Sequence, residues 1–347
     1  AYAISAGVRH NCAIQAGTRK VVCWGENLSA QATPPASVNG TTGTAIAVSA
    51  GDVHSCAIQA STRKVVCWGS DSFGQATPPA VVDGTEGTAT AIAVGFHHSC
   101  AIQAETGKVV CWGSPYYDQA TPPPSVNGTD GMAAAITAGA EYSCAIQAET
   151  GKVVCWGDSV FGQATPPASV NGVNGTAVAI AGSCAIQSET GNVVCWGNSG
   201  EAPPPSVDGT DGTATAIAAG GHNCAIQADT GKVVCWPHSV FYNVDPPAVV
   251  DGTQGTATGI SVGAIHSCAI QAMTANVVCW GDNLLGQATP PASVNGTDGT
   301  AIAIAAGSYH SCAIQADTGK VVCWGDDSIG QATPPASVNG VNGTAVA

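Results

Sequence analysis

Sixteen cysteines carry the most regular chemical spacing in the chain. They fall as eight pairs: Cys12 and Cys23, Cys56 and Cys67, Cys100 and Cys111, Cys144 and Cys155, Cys184 and Cys195, Cys224 and Cys235, Cys268 and Cys279, Cys312 and Cys323. Ten residues separate the partners of every pair, and no cysteine is left over. Two thiols at a fixed interval can hold a metal or close a disulfide. The C-x10-C interval lacks the short spacing of zinc motifs, and free buried thiols would not recur as eight matched pairs. An even set at constant spacing points to disulfides formed in an oxidising compartment.

Histidine is the second recurrent ligand type: His10, His54, His98, His222, His266 and His310 each stand two residues before a cysteine. A ring of imidazoles would suit a metal. The fourth repeat has Tyr142 there, however, and the fifth lacks the segment. A motif histidine bonded to a neighbouring loop is the plainer expectation. Aspartates in "NGTDG" resemble a calcium loop, but other repeats write "NGTTG", "DGTQG" and "NGVNG", so a solvated turn fits better. The sequence offers no activated nucleophile, unique acid pair or phosphate loop. A non-enzymatic chain without metal or cofactor is expected.

The elements that position these residues follow from the period. First cysteines are separated by 44, 44, 44, 40, 40, 44 and 44 residues, so the 347 residues read as one domain of stacked units. The approximate repeats are 1–44, 45–88, 89–132, 133–176, 177–214, 215–256, 257–300 and 301–347. In the last, "AIAIAAG" is a small-residue strand for a crowded place, followed by "HSCAIQ", "ADTG" and "KVVCWG". Two apolar runs joined by four residues ending in Gly319 read as a hairpin. That loop sets Ile314 against Val321, Ala313 against Val322 and Cys312 against Cys323, where a disulfide can form. Cysteine, Ile314 and Val321 share one face; Ala313, Val322 and Trp324 share the other. Both faces are apolar, and units stacked face to face would cover them. "ATPP" then excludes a central strand, and Asn-Gly or Asp-Gly turns into the next unit. The prediction is an all-β, eight-bladed β-propeller of about three strands per blade, with one disulfide inside each.

The pattern "GxxHSCAI…GKVVCWGxxxxGQ" resembles the repeat of the regulator-of-chromosome-condensation family of β-propellers, and it runs through essentially the whole chain. The family's namesake has seven longer repeats, and the paired cysteines make this chain similar to an exported bacterial branch. The resemblance implies a propeller. It does not choose among nucleotide exchange on a small GTPase, enzyme inhibition by a propeller face, and surface display. Uniform repeats and an acidic, cysteine-rich composition argue against exchange.

The loop after Trp-Gly varies most, and it holds Leu28, Phe73, Tyr116, Tyr117, Phe161, Phe241, Tyr242, Leu284 and Leu285. These residues form either a contact surface or rim packing between blades. Asn27, Asn39, Asn127, Asn174, Asn295 and Asn342 sit in glycosylation sequons. Asn/Asp interchange at the same turn in Asp83, Asp208 and Asp251 favours turn chemistry. Thr33, Thr77, Thr121, Thr165, Thr289 and Thr333 beside prolines are candidate O-glycan sites.

A formal charge of −14 with only nine Lys+Arg argues against nucleic acid or anionic lipid. No apolar run has the length of a membrane span. A secreted or cell-surface protein is expected, with any signal peptide removed or not supplied. The last residues, "GTAVA", restart the strand that "AYAISAG" supplies at the front. From Cys312 round to Cys12 is 347 − 312 + 12 = 47 residues, three more than the usual 44. Either the ring closes with a short overlap, or the overlap pairs with a neighbouring molecule. The sequence alone ranks a structural or adhesive surface-fibre module first, self-associating through its termini. A discrete protein- or glycan-binding propeller, inhibitor-like or lectin-like, ranks second.

Overall fold

The computed structural model describes residues 1–197, 202–237 and 245–340. Among them are eight three-stranded antiparallel sheets, each made of strands consecutive in sequence. The sheets are the blades of a β-propeller. In blade 3 the inner strand is Ala89–Val94, the middle strand His98–Gln103 and the outer strand Val109–Gly113. The middle and outer strands pair Cys100 with Cys111, Ala101 with Val110 and Ile102 with Val109. Gly107 closes the hairpin loop at φ 67°, the left-handed position the loop demands.

The last blade has the predicted register, with Cys312 opposite Cys323 and Ile314 opposite Val321. Every cysteine finds its partner within its own blade, as the spacing predicts. Cys12 is bridged to Cys23, Cys56 to Cys67, Cys100 to Cys111 and Cys144 to Cys155. In the second half of the ring Cys184 is bridged to Cys195, Cys224 to Cys235, Cys268 to Cys279 and Cys312 to Cys323. Each bridge joins the middle strand to the outer strand, so the inner strand is held by its backbone pairing and by the neighbouring blades.

The two apolar faces of a hairpin are covered by the two neighbouring blades. Cys56, Ile58 and Val65 of blade 2 pack against Ala101 and Trp112 of blade 3. The same arrangement joins Cys312, Ile314 and Val321 of the last blade to Ala13 and Trp24 of the first. No blade owns a core; each core lies at a seam.

Small residues on the inner strands let the blades converge on the axis. A Cβ on Gly7 would lie 2.2 Å from the carbonyl oxygen of Gly51, and one on Gly51 2.4 Å from that of Gly95. One on Gly307 would lie 2.8 Å from the oxygen of Gly7, so the ring of glycines closes on itself. The contacts are backbone, which cannot swing away. Gly7→Ala should therefore cost about 3 kcal/mol. Gly330→Ala is the control: at φ 79° with nothing within 4 Å of its Cβ, it carries only backbone strain, about 1 kcal/mol. Thermal melts of the two variants check this, and equal losses would overturn the crowded-axis account.

Candidate functional site

The residues that recur in the repeats turn out to join blades. The backbone carbonyl of Gln75, at the end of the loop after Trp68-Gly69, accepts a hydrogen bond from the indole of Trp112 in the next blade at 2.9 Å. Ser99 Oγ donates to the same carbonyl at 3.1 Å. Ser99 Oγ is in turn 2.8 Å from Nε2 of His54 in the preceding blade. Having given its own hydrogen to Gln75, the serine accepts from the imidazole, so His54 carries its proton on Nε2.

The closing seam repeats this with one substitution. Asn11 Nδ2 donates to the Gln331 carbonyl at 2.9 Å, leaving Oδ1 to accept from His310 Nε2 at 2.8 Å. The indole of Trp24 donates to Gln331 at 3.0 Å. One chain thus closes its own ring, and Ala3–Ala6 serves as the inner strand of blade 1.

The imidazoles are essentially inaccessible to solvent. Nδ1 of His54, His98 and His266 has no hydrogen-bond partner. Burial pushes the pKa of His10, His98, His266 and His310 down to about 4 and that of His54 to about 3, with neighbouring imidazoles adding to the shift of several. Tyr142 takes the histidine position in blade 4, and its burial raises its pKa. Among the described residues no group of three or more His, Cys, Asp and Glu is placed to hold a metal ion. The histidines are latches between blades.

Strand direction sorts the loops onto two faces. The turn between inner and middle strands and the loop after Trp-Gly share one face, joined for example by Ser114 N to His97 O at 2.9 Å. Hairpin tips lie on the other face, where Ala133 N donates to Gly107 O at 2.8 Å.

Charge divides unevenly between these faces. Of the nine Lys+Arg, eight sit at hairpin tips: Arg19, Lys20, Arg63, Lys64, Lys108, Lys152, Lys232 and Lys320. The Trp-loop face has Arg9 alone, and its guanidinium is 3.7 Å from Glu26. That face carries at least nine described carboxylates: Glu26, Asp52, Asp71, Asp118, Glu141, Asp158, Asp282, Asp326 and Asp327.

Among the described residues of this acidic face, one cluster of aromatic rings breaks the repeat. Phe73, from the loop of blade 2, meets His97 edge-on at a centroid distance of 5.5 Å and Tyr116 of blade 3 at 5.5 Å. Phe96 lies beside His97 at 6.5 Å. Tyr116 is 73% exposed, and its neighbour Tyr117 is exposed as well. His97 Nδ1 donates to Glu141 Oε1 at 2.9 Å, and Gln119 Nε2 holds the other carboxylate oxygen at 2.8 Å. Phe96 also lines a cavity of about 580 Å³ at the axis, otherwise walled mainly by the glycines and alanines where the inner strands turn.

The repeat itself matches a family model. The regulator of chromosome condensation (RCC1) repeat is found at residues 45–75, 89–119 and 301–331. The chain carries RCC1 repeats. Each match runs from the start of an inner strand to the glutamine that latches the next blade. No curated protein matches the sequence. Among solved structures, the chain is similar to the CRINKLY WD40 ectodomain of the Arabidopsis thaliana receptor kinase ACR4. They share 22% identity over 96% of each chain, with a TM-score of 0.60. The entire ectodomain of the Physcomitrella patens receptor kinase CR4 matches at 22% identity over 93% of this chain and 73% of that one, TM-score 0.56. Human WBSCR16 matches at 16% identity over 90% and 87%, TM-score 0.54. At these identities the likeness is one of fold.

The variable-loop residues of this ring separate in space. Leu28, Phe161, Leu284 and Leu285 are exposed, and among the described residues no ring contact joins Phe161 to the cluster of blades 2 and 3. Phe241 and Tyr242 lie outside the described residues, as does Asn342. Phe96 and His97 escape a reading of the sequence because the motif histidine, His98, stands next to them. The signal was an aromatic pair at a turn that reads "VR", "DV" or "AE" in neighbouring repeats.

The sequon asparagines mostly hold turns. Asn39, Asn127 and Asn295 each donate from Nδ2 to a proline carbonyl at 3.1–3.2 Å while Oδ1 accepts the backbone N–H two residues on. Asn27 bonds the backbone of Ala32 and the hydroxyl of Thr33. Asn174 is exposed. All six threonines are exposed. Thr77 and Thr333 donate to Asp71 and Asp327 at 2.7 Å, and Thr289 donates to Asn283 at 3.2 Å, so those hydroxyls close the Trp loop.

Proposed function

We propose that this RCC1-repeat propeller is an extracellular, non-enzymatic docking module that binds a protein partner through its Trp-loop face at blades 2 and 3. The observation that carries this reading is the aromatic cluster of Phe73, Phe96, His97 and Tyr116. The recurrent residues of the repeats are buried in holding blades together, whereas the cluster, with its half-buried His97 held by Glu141, leaves the rings of Phe73, Phe96 and Tyr116 exposed. A rigid scaffold with one individual patch is how loop-borne recognition is usually built. Eight disulfides support an oxidising, extracellular setting. Recurrent buried histidines committed to seams support a binding role over catalysis. Of the sequons, the exposed Asn174 is the glycan acceptor this reading favours.

The head-to-tail surface fibre, ranked first on sequence, becomes the second reading. Two observations favour the discrete module. The first strand of the chain is taken up inside blade 1, and both faces are net acidic. On the Trp-loop face at least nine carboxylates stand against one cation; at the hairpin tips and their adjoining turns it is twelve against eight. Faces of like sign repel on stacking. Size-exclusion light scattering should return one species at the chain mass of 34.1 kDa from micromolar concentration upward. A mass that climbs with concentration would restore the fibre reading and displace this one.

A further inference from the structure

The chemistry of the patch indicates what it takes. Four rings, Phe73, Phe96, His97 and Tyr116, lie across the boundary of blades 2 and 3. Tyr116, like its neighbour Tyr117, is at least half exposed. Exposed aromatic rings accept apolar surface, planar guanidinium groups and ammonium groups alike. The surroundings choose among these. Asp71 lies two residues from Phe73, Asp118 follows Tyr117, and Glu141 is bound to His97. The face's one described cation, Arg9, belongs to blade 1 and is paired with Glu26. An anionic ligand therefore meets a field of carboxylates and no free described cation of this face. A second copy of the chain is net acidic on either face it could present. A neutral glycan would stack on the rings but draw nothing from the field.

We propose that the occupant is a cationic polypeptide segment: an arginine- or lysine-bearing stretch of a basic partner, lying across Phe73, Phe96, His97 and Tyr116 with its charges toward Asp71, Asp118 and Glu141. This rests on the reading of the patch as a docking surface and adds the chemistry of the partner. Ring stacking supplies the short-range part and the carboxylates the long-range part. Glu141 has a further duty as a positioning residue, since its two oxygens fix His97 and Gln119. The axial cavity that Phe96 lines leaves room for the segment to continue toward the axis.

The test uses the whole oxidised protein and three fluorescent probes: a hexa-arginine peptide, a hexa-glutamate peptide and cellohexaose. Polarisation titrations should show hexa-arginine bound and hexa-glutamate not bound. Phe73→Ala with Tyr116→Ala should weaken hexa-arginine by about tenfold or more, the size expected when stacking is removed. Phe161→Ala, an exposed aromatic elsewhere on the same face, should leave it within about twofold. Raising salt from about 50 to about 300 mM should weaken binding several-fold without abolishing it, because screening removes the long-range part and leaves the stacking. If cellohexaose binds instead, with the same dependence on Phe73 and Tyr116, the patch stands as a binding surface, but the cationic segment and the protein partner are both overturned. If hexa-arginine binds but ignores both aromatic substitutions, binding is mere charge attraction and the proposal fails. If no probe binds in any state, the patch loses both readings.

Discussion

Acidifying the solution from about pH 6.5 toward about pH 4 should destabilise the propeller by several kcal/mol per pH unit, far more than an ordinary domain loses over that range. The cause is the buried ring of imidazoles. His10, His98, His266 and His310 titrate at about 4 and His54 at about 3 in the folded protein, against about 6.5 in an unfolded chain. Below the unfolded value the unfolded chain takes up protons that the folded one refuses. Stability is therefore full above about pH 6.5 and is lost as the pH falls toward the folded pKa. Each histidine contributes about 1.4 kcal/mol per pH unit in that window. Five together give on the order of 7 kcal/mol per unit, or about 10 °C in melting temperature for a chain of this length. Asp71, Asp282 and Asp326 oppose part of the shift at His54, His266 and His310, and the backbone of Asp52 does so at His10.

The structural reason is as important as the burial. At His54, with Nε2–H already spent on Ser99, whose own hydrogen goes to the Gln75 carbonyl, the added proton must go to Nδ1, where the structure offers no acceptor. Melting temperatures by calorimetry across the window provide the check. Buffers of different ionisation enthalpy should count about four to five protons taken up on unfolding near pH 5. His310→Gln keeps a donor toward Asn11 and should flatten the slope by about a fifth, whatever it does to the melting temperature itself. A melting temperature independent of pH would mean that the latches are not buried neutral imidazoles.

Residues 310–325 show why so much of the fold was legible. A four-residue loop ending in Gly319, with period-two apolar runs on both sides, leaves one register that puts Cys312 opposite Cys323. A slip of one residue would send the cysteines to opposite faces. Apolar residues on both faces required covering, and the 44-residue period named the neighbouring unit as the cover. The seams were less legible. The carbonyl that receives Trp112 is the backbone of Gln75, 37 residues away, and a backbone acceptor leaves no mark on residue type. His54 and Ser99 are conspicuous separately but pair only once blades are stacked.

The patch was half legible. Phe73 and Tyr116 stood out as variable-loop aromatics, but so did the apolar Leu28 and Leu284, which are about 90% exposed and belong to no ring cluster. Only the strand directions reveal that the turn holding Phe96 and His97 opens onto the same face as those loops.

Reducing all eight disulfides should abolish cooperative folding at room temperature. A single blade of about 40 residues is near the size below which a chain cannot bury enough apolar surface to fold alone, and here each core is shared with a neighbour. The energy that locks any one hairpin in register before its neighbours arrive has to come from within the hairpin. The bridge supplies it by closing a short loop, about 3 kcal/mol in the chain-entropy view. Eight such terms exceed the whole net stability of an ordinary domain, about 5–15 kcal/mol. The middle-strand cysteines Cys12, Cys56, Cys100, Cys144, Cys184, Cys224, Cys268 and Cys312 are fully buried and their outer-strand partners half-buried, so mild reductant should open the bridges of the native protein only slowly. Reduction in denaturant, alkylation and dilution should yield a chain with no cooperative melt by circular dichroism, while the oxidised protein regains its own. Digestion without reductant should release bridged peptides from within repeats only. If the alkylated chain melts cooperatively within a few degrees of the oxidised one, the seams alone carry the fold. The bridges would then be fasteners added to a ring already stable without them.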